Sequence, residues 1–393
     1  MNKKKNFFQR MDIESRFGLL RSAMAILIGL SVAVILILIS AADPKESLKY
    51  FFLGPLQIFN PAVKPAMAWN YFDFWMQNLI PILFTGSAVA IMFSSSKINL
   101  GLEGAIMGGG LACAWVCCLL DGDMAARDAN PAACIVCGLL VGLIAGAIIC
   151  LVPALLEKWF NANIMVTSLM MNYVMLYVSQ YCLFSTSLRD PKTSKYSYHW
   201  TNSTVLTQKK FLGTRFTMRW GLIIAIVVVI LAWMFLYKTR WGFKARQIGQ
   251  NPHLAKYVGV SVVSLGVIVQ IIGGAIGGLA GATVILGNEA YYYGIEMTGY
   301  GWDGVTMAIF SKNDPKKLFV SCAFIAYIRA GALIMSTQKG GPINEMTQIV
   351  EGVIILFLLA EQFLSKTHRK MIVADAKEKQ AEKLALQGEE VNA

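Results

Sequence analysis

Long apolar runs, separated by short polar segments, dominate the pattern of hydrophobic and polar positions along this chain. Most of these runs are long enough to cross the roughly 30 Å of hydrocarbon in a bilayer as a helix. The pattern therefore predicts an all-α, polytopic integral membrane protein with about ten membrane elements. Their predicted ranges are 22–42, 77–95, 99–120, 132–151, 164–184, 220–237, 264–286, 301–311, 318–336 and 347–364.

The eighth element, 301–311, is too short to span a bilayer as an ordinary helix. Gly301 bounds it on one side, and the Asn313-Asp314-Pro315 sequence interrupts it on the other. Broken helices at membrane depth are tolerated where protein surrounds them. The sequence therefore predicts a half-helix or re-entrant segment at this point.

Composition agrees with a membrane protein, since 56% of the 393 residues are hydrophobic and 15% are charged. Soluble domains carry about a quarter charged residues. Much of the net charge of +12 lies on predicted cytoplasmic flanks and loops, so it indicates membrane orientation and not a nucleic-acid partner. The eight cysteines lie in or beside apolar runs, which favours packing over a zinc or redox site.

Charge also predicts which ends face the cytoplasm. The N-terminal head, 1–21, is basic and should stay inside, and an even number of spans in the membrane domain, 22–364, returns the charged tail, 365–393, to the same side. The loop 188–219 is the exception, because it falls outside although it holds seven cations and one acid. Its length weakens the charge rule, and a docked acidic partner would also account for it.

Motifs that carry chemistry are scarce in this sequence. It contains no GxxxxGK[ST] loop, so no Walker A site for ATP is predicted. The segment 299–304, GYGWDG, matches GxGxxG but lacks the strand–helix context of a dinucleotide site. A glycine-rich bend that exposes Tyr300, Trp302 and Asp303 at a cavity, or a plain tight turn, explains it better. The three histidines lie away from any candidate nucleophile, so no catalytic residue is predicted.

The loop 238–260 contains the basic sequence RQIGQNPHLAKYVGV between two apolar runs. Asn251 precedes a proline, which disfavours helix at that residue, and Pro252 suits the first turn of a new helix. A short helix over 252–257 is predicted, ended by Gly259, which tolerates a left-handed C-terminal cap. The loop holds five cations and no acidic residue, which predicts a cytoplasmic location. We interpret it as a rigid docking element for a cytoplasmic partner.

Glycines recur at every fourth position in two predicted spans, at 138, 142 and 146 and again at 273, 277 and 281. Such spacing clears side chains from one helix face and allows another backbone to approach closely. Packing within the chain is the expected reason, and a seam between two chains is the alternative.

Polar residues inside predicted spans are costly to bury in lipid and are often functional. Any one of them can be satisfied by a backbone carbonyl or a neighbouring helix, but together they indicate a polar lining. They are Asn78, Asn99, Glu103, Asn163, Thr167, Ser168, Asn172, Arg329 and Glu351.

Three separated motifs resemble the permease subunits of bacterial ABC importers for simple sugars and nucleosides, the ribose- and guanosine-type branched-chain permease superfamily. They are INLGLEGAIMGG at 98–109, GQNPHLAKYVGV at 249–260 and GYGWDGVTMA at 299–308, and AYIRAG at 326–331 resembles a fourth family segment. The resemblance covers roughly residues 75–365.

The resemblance implies a permease subunit of an ATP-driven importer that moves a nucleoside or simple sugar across the bacterial plasma membrane by alternating access. A separate cytoplasmic ABC ATPase would use the ATP, and this chain would bind no cofactor or metal. The further implied partners are a second permease chain, with a heterodimer favoured over a homodimer, and an extracytoplasmic substrate-binding lipoprotein or periplasmic protein. The chain departs from the family pattern at some positions, such as Ala105 where the family carries glutamine, and the resemblance implies that substrate choice or helix packing is tuned there.

Two sets of candidate site residues follow. The coupling segment that would fit a cleft on the ATPase contains Arg246, Gly249, Asn251, Pro252, Ala255, Tyr257 and Gly259. Aromatic rings can stack on a base or sugar, and polar groups can bond its hydroxyls or ring nitrogens. On that basis the residues expected along the substrate pathway are Asn99, Glu103, Asn172, Tyr300, Trp302 and Asp303.

Two other classes of protein fit part of the pattern. An ion-coupled secondary transporter of a small polar solute would also use a broken element and a polar lining at the membrane midplane. A membrane scaffold or sensor would recruit partners through its tail and carry no solute. Neither alternative accounts for the three motifs in their order.

Overall fold

The computed structural model describes residues 13–59, 65–120, 131–186, 188–189, 197–198, 207–208, 218–288, 291–338 and 340–342, with isolated positions 349, 352–353 and 356. The chain divides into two compact units. The smaller unit comprises Met1–Leu48 and Gln338–Ala393, and the larger unit is Lys49–Thr337.

The described residues are almost entirely helical. In chain order the helices are α1 (Ile13–Ser40), α2 (Pro44–Leu53), a 3-10 turn (Pro55–Phe59), α3 (Pro65–Phe93), α4 (Leu102–Leu120), α5 (Pro131–Phe160), α6 (Ile164–Ser185), α7 (Trp220–Lys238), α8 (Arg240–Gln250), α9 (Pro252–Tyr257), α10 (Val262–Asn288), α11 (Tyr300–Phe310) and α12 (Pro315–Ser336). Two strands of two residues each, β1 (Thr207–Gln208) and β2 (Met218–Arg219), pair antiparallel just before α7.

Six helices in the described part of the chain are long and apolar enough to cross a membrane, namely α3, α4, α5, α7, α10 and α12. The chain is therefore a multi-pass membrane protein, as its hydrophobic pattern predicts. Helices α1, α6 and the 11-residue α11 occupy three more of the predicted elements. The tenth element, 347–364, lies outside the described residues except at isolated positions, as do most of the head and the tail. The number ten and the cytoplasmic termini stay predictions.

Several helix boundaries differ from the predicted ones. Helix α3 begins at Pro65 and not at 77, and α5 continues to Phe160 and not to 151, because mixed polar and aromatic turns extend both helices beyond their apolar runs. Helix α4 begins at Leu102, since residues 97–100 form an irregular segment. Helices α2 and α8 were not predicted, because their mixed composition escapes a search for long apolar runs.

Helix α10 packs against α3, α4 and α5 in the larger unit. The backbones approach closely where glycines remove the side chains. A Cβ atom built on Gly278 would lie 2.1 Å from the carbonyl oxygen of Gly142, and one built on Gly146 would lie 2.3 Å from that of Gly274. The repeated glycines therefore serve packing within the chain, which was the favoured of the two explanations.

The last turns of α3, α5 and α7 lie together with α8 at one end of the larger unit. We call this region the basic end. Lys97 pairs with Glu157 at 2.5 Å, and the Ser96 hydroxyl donates to the carbonyl oxygen of Gly249 at 2.9 Å. The charge rule predicts that this end faces the cytoplasm. Its cations are Lys97, Lys158, Lys238, Arg240, Lys244, Arg246, Lys256, Lys312, Lys316 and Lys317.

At the opposite end, Arg219, which immediately precedes α7, contacts two other helices, α3 and α10. Its guanidinium donates to both carboxylate oxygens of Asp73, at 2.5 and 2.6 Å, and to the carbonyl oxygen of Gly287 at 2.6 Å. One of the seven cations of the loop 188–219 is thus neutralised inside the fold. Tyr292, which follows α10 in the chain, is buried, and this burial raises the pKa of its phenol to about 12.

In the smaller unit, the carbonyl oxygen of Gly340 accepts hydrogen bonds from the backbone N–H groups of Ala42 and Asp43 at 3.0 and 3.2 Å. Gly340 has a φ of 79°, a conformation that glycine adopts without steric cost.

Candidate functional site

Helix α9 forms where the sequence predicted it, at Pro252–Tyr257. The Asn251 side chain caps its N-terminus, because Oδ1 accepts from the N–H groups of His253 and Leu254 at 3.0 and 3.1 Å. Gly259 follows the helix with a φ of 83°, which is the left-handed conformation expected of a glycine stop. Local sequence therefore fixes both ends of this short helix.

The inner side of α8 and α9 is packed firmly on the membrane helices. Ala245, Ile248 and Ala255 are buried in one cluster with apolar residues of α3, α7 and α10. Helix α8 approaches α3 so closely at Gly249 that a Cβ atom there would lie 2.2 Å from the carbonyl oxygen of Ser94. A force applied to α8 and α9 would thus reach three membrane helices directly.

The outer side of this pair of helices is open and apolar, with Leu254, Tyr257 and Val258 exposed by 60%, 90% and 69%. Exposed apolar side chains beside cations are typical of a surface that contacts another protein. Arg246 stacks its guanidinium 4.5 Å from the centre of the Tyr237 ring, and its buried Nε has no hydrogen-bond partner among the described residues. We call the exposed surface of α8, α9 and residues 258–259 the docking face.

A second set of predicted residues meets where α4 and α11 begin. The carboxylate of Glu103 accepts from the Thr298 hydroxyl at 2.7 Å and from the backbone N–H groups of Gly299 and Gly301 at 2.8 and 2.7 Å. Glu103 therefore acts as an N-terminal cap for α11, where the helix dipole favours a negative charge.

Asp303, in the first turn of α11, forms an ion pair with Arg329 of α12. Arg329 also donates to the carbonyl oxygen of Thr298 at 2.8 Å, and its guanidinium lies 4.4 Å from the centre of the Tyr300 ring. A charged residue within a span is thus matched by an acid from the neighbouring helix α11.

Side chains also satisfy the irregular backbone ahead of α4. The Asn99 amide donates to Gln270 at 2.8 Å, and its oxygen accepts from the N–H of Gly101 at 2.7 Å. Ser168 and Asn172, one turn apart on α6, bond the backbone of 100–104. Unpaired backbone groups at membrane depth cost several kcal/mol each, so these bonds allow the helix break to exist.

Four of the six residues predicted along the substrate pathway are sealed inside protein in this structure. Asn99, Glu103, Asn172 and Asp303 are 0%, 1%, 2% and 4% exposed, and each is bonded to its neighbours. Of the remaining two, Tyr300 is half-buried and Trp302 is 44% exposed. Their contact with substrate stays a prediction.

Gln270 and Thr298 are not among the predicted site residues, although both belong to these networks. Gln270 is the one polar side chain between Leu265 and Ala282 of the glycine-rich helix α10, and that isolation was the available signal. Thr298 lies in a polar connecting segment and carries no such signal.

Comparison with known proteins gives relatives along most of the chain. It is 28% identical over 341 residues to the guanosine ABC transporter permease protein NupP of Bacillus subtilis, covering 86% of this chain and 92% of that one. It is 24% identical over 318 residues to the nucleoside ABC transporter permease protein NupB of Lactococcus lactis, covering 78% and 85%. A glucose ABC transporter permease protein of Haloferax volcanii is 25% identical over 295 residues, covering 73% and 75%.

Residues 71–359 match the family described as the permease component of the branched-chain amino acid transport system. This match takes in most of α3 and all of α4 to α12, and therefore both the docking face and the network around Glu103. The chain belongs to this family of transport-system permease components.

Proposed function

We propose that this chain is the membrane-spanning subunit of an ATP-driven importer that carries a nucleoside, or else a simple sugar, across the bacterial plasma membrane. Family membership supports the role of permease. Two of the three relatives above are named for guanosine or nucleosides and one for glucose, and the first matches over most of both chains. Nucleosides are therefore the first substrates to test.

The docking face carries the proposal that a separate ATPase drives transport. Tyr257 is 90% exposed at the tip of α9, while Ala255, two residues earlier, is 3% exposed and faces the membrane helices. This arrangement suits the transmission of movement from a partner to the membrane helices. The outer side of α8 and α9 is exposed for binding, and their inner side is packed against α3, α7 and α10. The ATPase would use the ATP, and this chain would contribute Arg246, Gly249, Asn251, Pro252, Ala255, Tyr257 and Gly259 to coupling.

The assembly we propose contains a second permease and an extracytoplasmic binding protein. Relatives from one Lactococcus lactis strain include two nucleoside permease proteins, NupB and NupC, which supports a pore of two different chains. A homodimer is the alternative. The substrate-binding lipoprotein or periplasmic protein would sit at the end opposite to the basic end, where Arg219 pairs with Asp73.

For the substrate pathway we propose that Trp302 provides a stacking surface and that Tyr300 assists it. The four buried residues would not contact the substrate but would position the helices around it, since they hold the first turns of α4 and α11 in place. They are Asn99, Glu103, Asn172 and Asp303. Alternating access would then expose this region to one side of the membrane at a time as the ATPase moves the docking face.

The partner proposal is tested by purifying the tagged chain from native membranes and comparing Tyr257→Ala with Tyr177→Ala. Both tyrosines are highly exposed, at 90% and 66%, but Tyr177 lies on α6, one of the predicted membrane elements, and not on α9. Removing an interface anchor commonly costs more than about 1.4 kcal/mol, or tenfold in affinity. We expect Tyr257→Ala to lose the co-purifying ATPase while Tyr177→Ala retains it. Equal recovery of the ATPase with both variants would reject the docking face.

The substrate proposal is tested by ATP-dependent uptake of labelled guanosine into vesicles that hold the complete complex, with unlabelled glucose and ribose as competitors. We expect Trp302→Ala to raise the KM for uptake by about tenfold and Trp302→Phe to raise it much less, because stacking on a base is worth ~1–3 kcal/mol. Trp159→Ala, at another exposed tryptophan, is the control. Uptake that continues without ATP would instead indicate a secondary transporter.

A further inference from the structure

An apolar groove of about 330 Å³ opens on the larger unit between α7 and α12. Its lining includes Ile226, Ile230 and Trp233 of α7 and Pro315, Lys316 and Phe319 of α12. Ile226, Ile230 and Phe319 are 36%, 50% and 40% exposed. Both helices are membrane spans by length and composition, so side chains exposed on them are positioned to meet lipid.

Two lysine ammonium groups lie at one end of this groove, which we call its mouth. The Lys316 ammonium lies 5.0 Å and the Lys238 ammonium 6.0 Å from the centre of the Trp233 ring. These residues belong to the basic end, where tryptophan and lysine side chains are expected at the level of lipid headgroups. Two ammonium groups therefore lie close to the Trp233 ring, which lines the apolar groove.

The nearby acid does not cancel this charge. Asp314 caps α12 by accepting from the N–H of Lys316 at 3.2 Å. Among the described residues, this carboxylate is accompanied by the cations Lys238, Lys316 and Arg246, the last of which stacks on the adjacent Tyr237. The described side chains at the mouth of the groove therefore carry more positive than negative charge, which an anionic ligand would neutralise.

We propose that this groove is a binding site for an anionic phospholipid of the cytoplasmic leaflet. One acyl chain would lie along Ile226, Ile230 and Phe319, and the phosphate would lie between Lys238 and Lys316. Basic pockets between membrane helices on the cytoplasmic side bind anionic headgroups in this way. A helix of another protein would have to place acids of its own against the two lysines, because burying them unpaired is costly. The proposal does not depend on which solute the complex transports.

The test uses the intact complex in detergent, titrated with phosphatidylglycerol that carries bromine on its acyl chain. Bromine quenches tryptophan fluorescence at close range, and the Trp233→Phe variant identifies the part of the signal that comes from Trp233. Brominated phosphatidylcholine is the zwitterionic comparison. Inorganic phosphate and glycerol phosphate, added as competitors, distinguish a lipid from a soluble phosphate.

We expect phosphatidylglycerol to quench Trp233 at lower concentration than phosphatidylcholine, and soluble phosphates not to reverse the effect. Lys238→Gln and Lys316→Gln should each weaken binding about fivefold, the value of one lysine at an anionic membrane surface. Lys317→Gln removes the neighbouring exposed charge outside the groove and should leave binding unchanged. Equal quenching by both lipids, unaffected by the lysine variants, would show an ordinary lipid-facing surface. Quenching by neither lipid would show that protein covers the groove. Each of these two results would overturn the proposal.

Discussion

The Oε2 atom of Glu103, in the first turn of α4, lies 2.7 Å from the backbone nitrogen of Gly301, in the first turn of α11. The side chain of one helix thereby caps the N-terminus of another that is almost two hundred residues later in the chain. The approach leaves no room for a side chain at Gly301, where a Cβ atom would lie 2.6 Å from the same oxygen. This contact connects two of the three motifs by which the chain resembles its family.

Glu103→Gln is expected to destabilise the protein by about 2–3 kcal/mol, because a buried N–H donor would lose its charged acceptor and face an amide nitrogen or nothing. The measurement is the free energy of unfolding of the purified protein in mixed micelles. Glu157→Gln is the control, since its half-exposed pair with Lys97 should be worth at most about 1 kcal/mol. Equal losses from the two variants would contradict the capping role of Glu103.

Asp303 and Arg329 should behave as a coupled pair in a double-mutant cycle. Removing one partner leaves the other charge uncompensated in a buried site, so Asp303→Asn alone should cost about 3–5 kcal/mol. Adding Arg329→Gln to that variant should recover part of the loss, although the bond from Arg329 to the Thr298 carbonyl would also be lost. Unfolding free energies of the wild type, both single variants and the double variant give the coupling. Simple additivity would show that the ion pair contributes nothing of its own.

Local signals account for what the sequence predicted correctly. The bounds of α9 depend on Asn251, Pro252 and Gly259, which act within a few residues of one another. The membrane spans follow from runs of apolar residues, and α8 was missed because amphipathic helices lack such runs. Hydrophobic content shows that a segment is buried in lipid or protein, but it does not show where a helix ends.

Long-range contacts account for what could not be predicted. Asn99 and Glu103 are polar residues in a predicted span, and their polarity indicates importance without indicating partners. The partners are Gln270 on α10 and the backbone of 299–301, far away in sequence. A buried carboxylate that lines a pathway and one that caps a helix look identical in a single sequence.

Gly259→Ala should strain the end of α9 without causing a clash. The residue has a φ of 83° and nothing lies within 4 Å of an added Cβ atom, so only the backbone conformation resists the change. An alanine held in this left-handed backbone conformation destabilises the protein by about 1–2 kcal/mol, and asparagine adopts the conformation more readily. We expect Gly259→Ala to lower the transport obtained per ATP hydrolysed and Gly259→Asn to restore much of it. Identical coupling in the wild type and both variants would show that the geometry of this turn does not matter.

Two glycines of α10 offer a matched comparison of close helix packing. A Cβ atom at Gly278 would lie 2.1 Å from the carbonyl oxygen of Gly142, whereas one at Gly287 would meet nothing within 4 Å. Gly278→Ala should therefore separate α5 from α10 and cost about 1–3 kcal/mol.

Gly287→Ala should instead be neutral or stabilising by about 0.5–1 kcal/mol, because alanine has the higher helix propensity. Thermal unfolding and ATP-dependent uptake would be measured for both variants in the assembled complex. Loss of uptake with Gly278→Ala at unchanged stability would mean that the α5–α10 contact moves during transport. Loss of stability and uptake together would mean that it is a fixed support. A Gly278→Ala protein that matches Gly287→Ala in both measurements would contradict the tight packing of these helices.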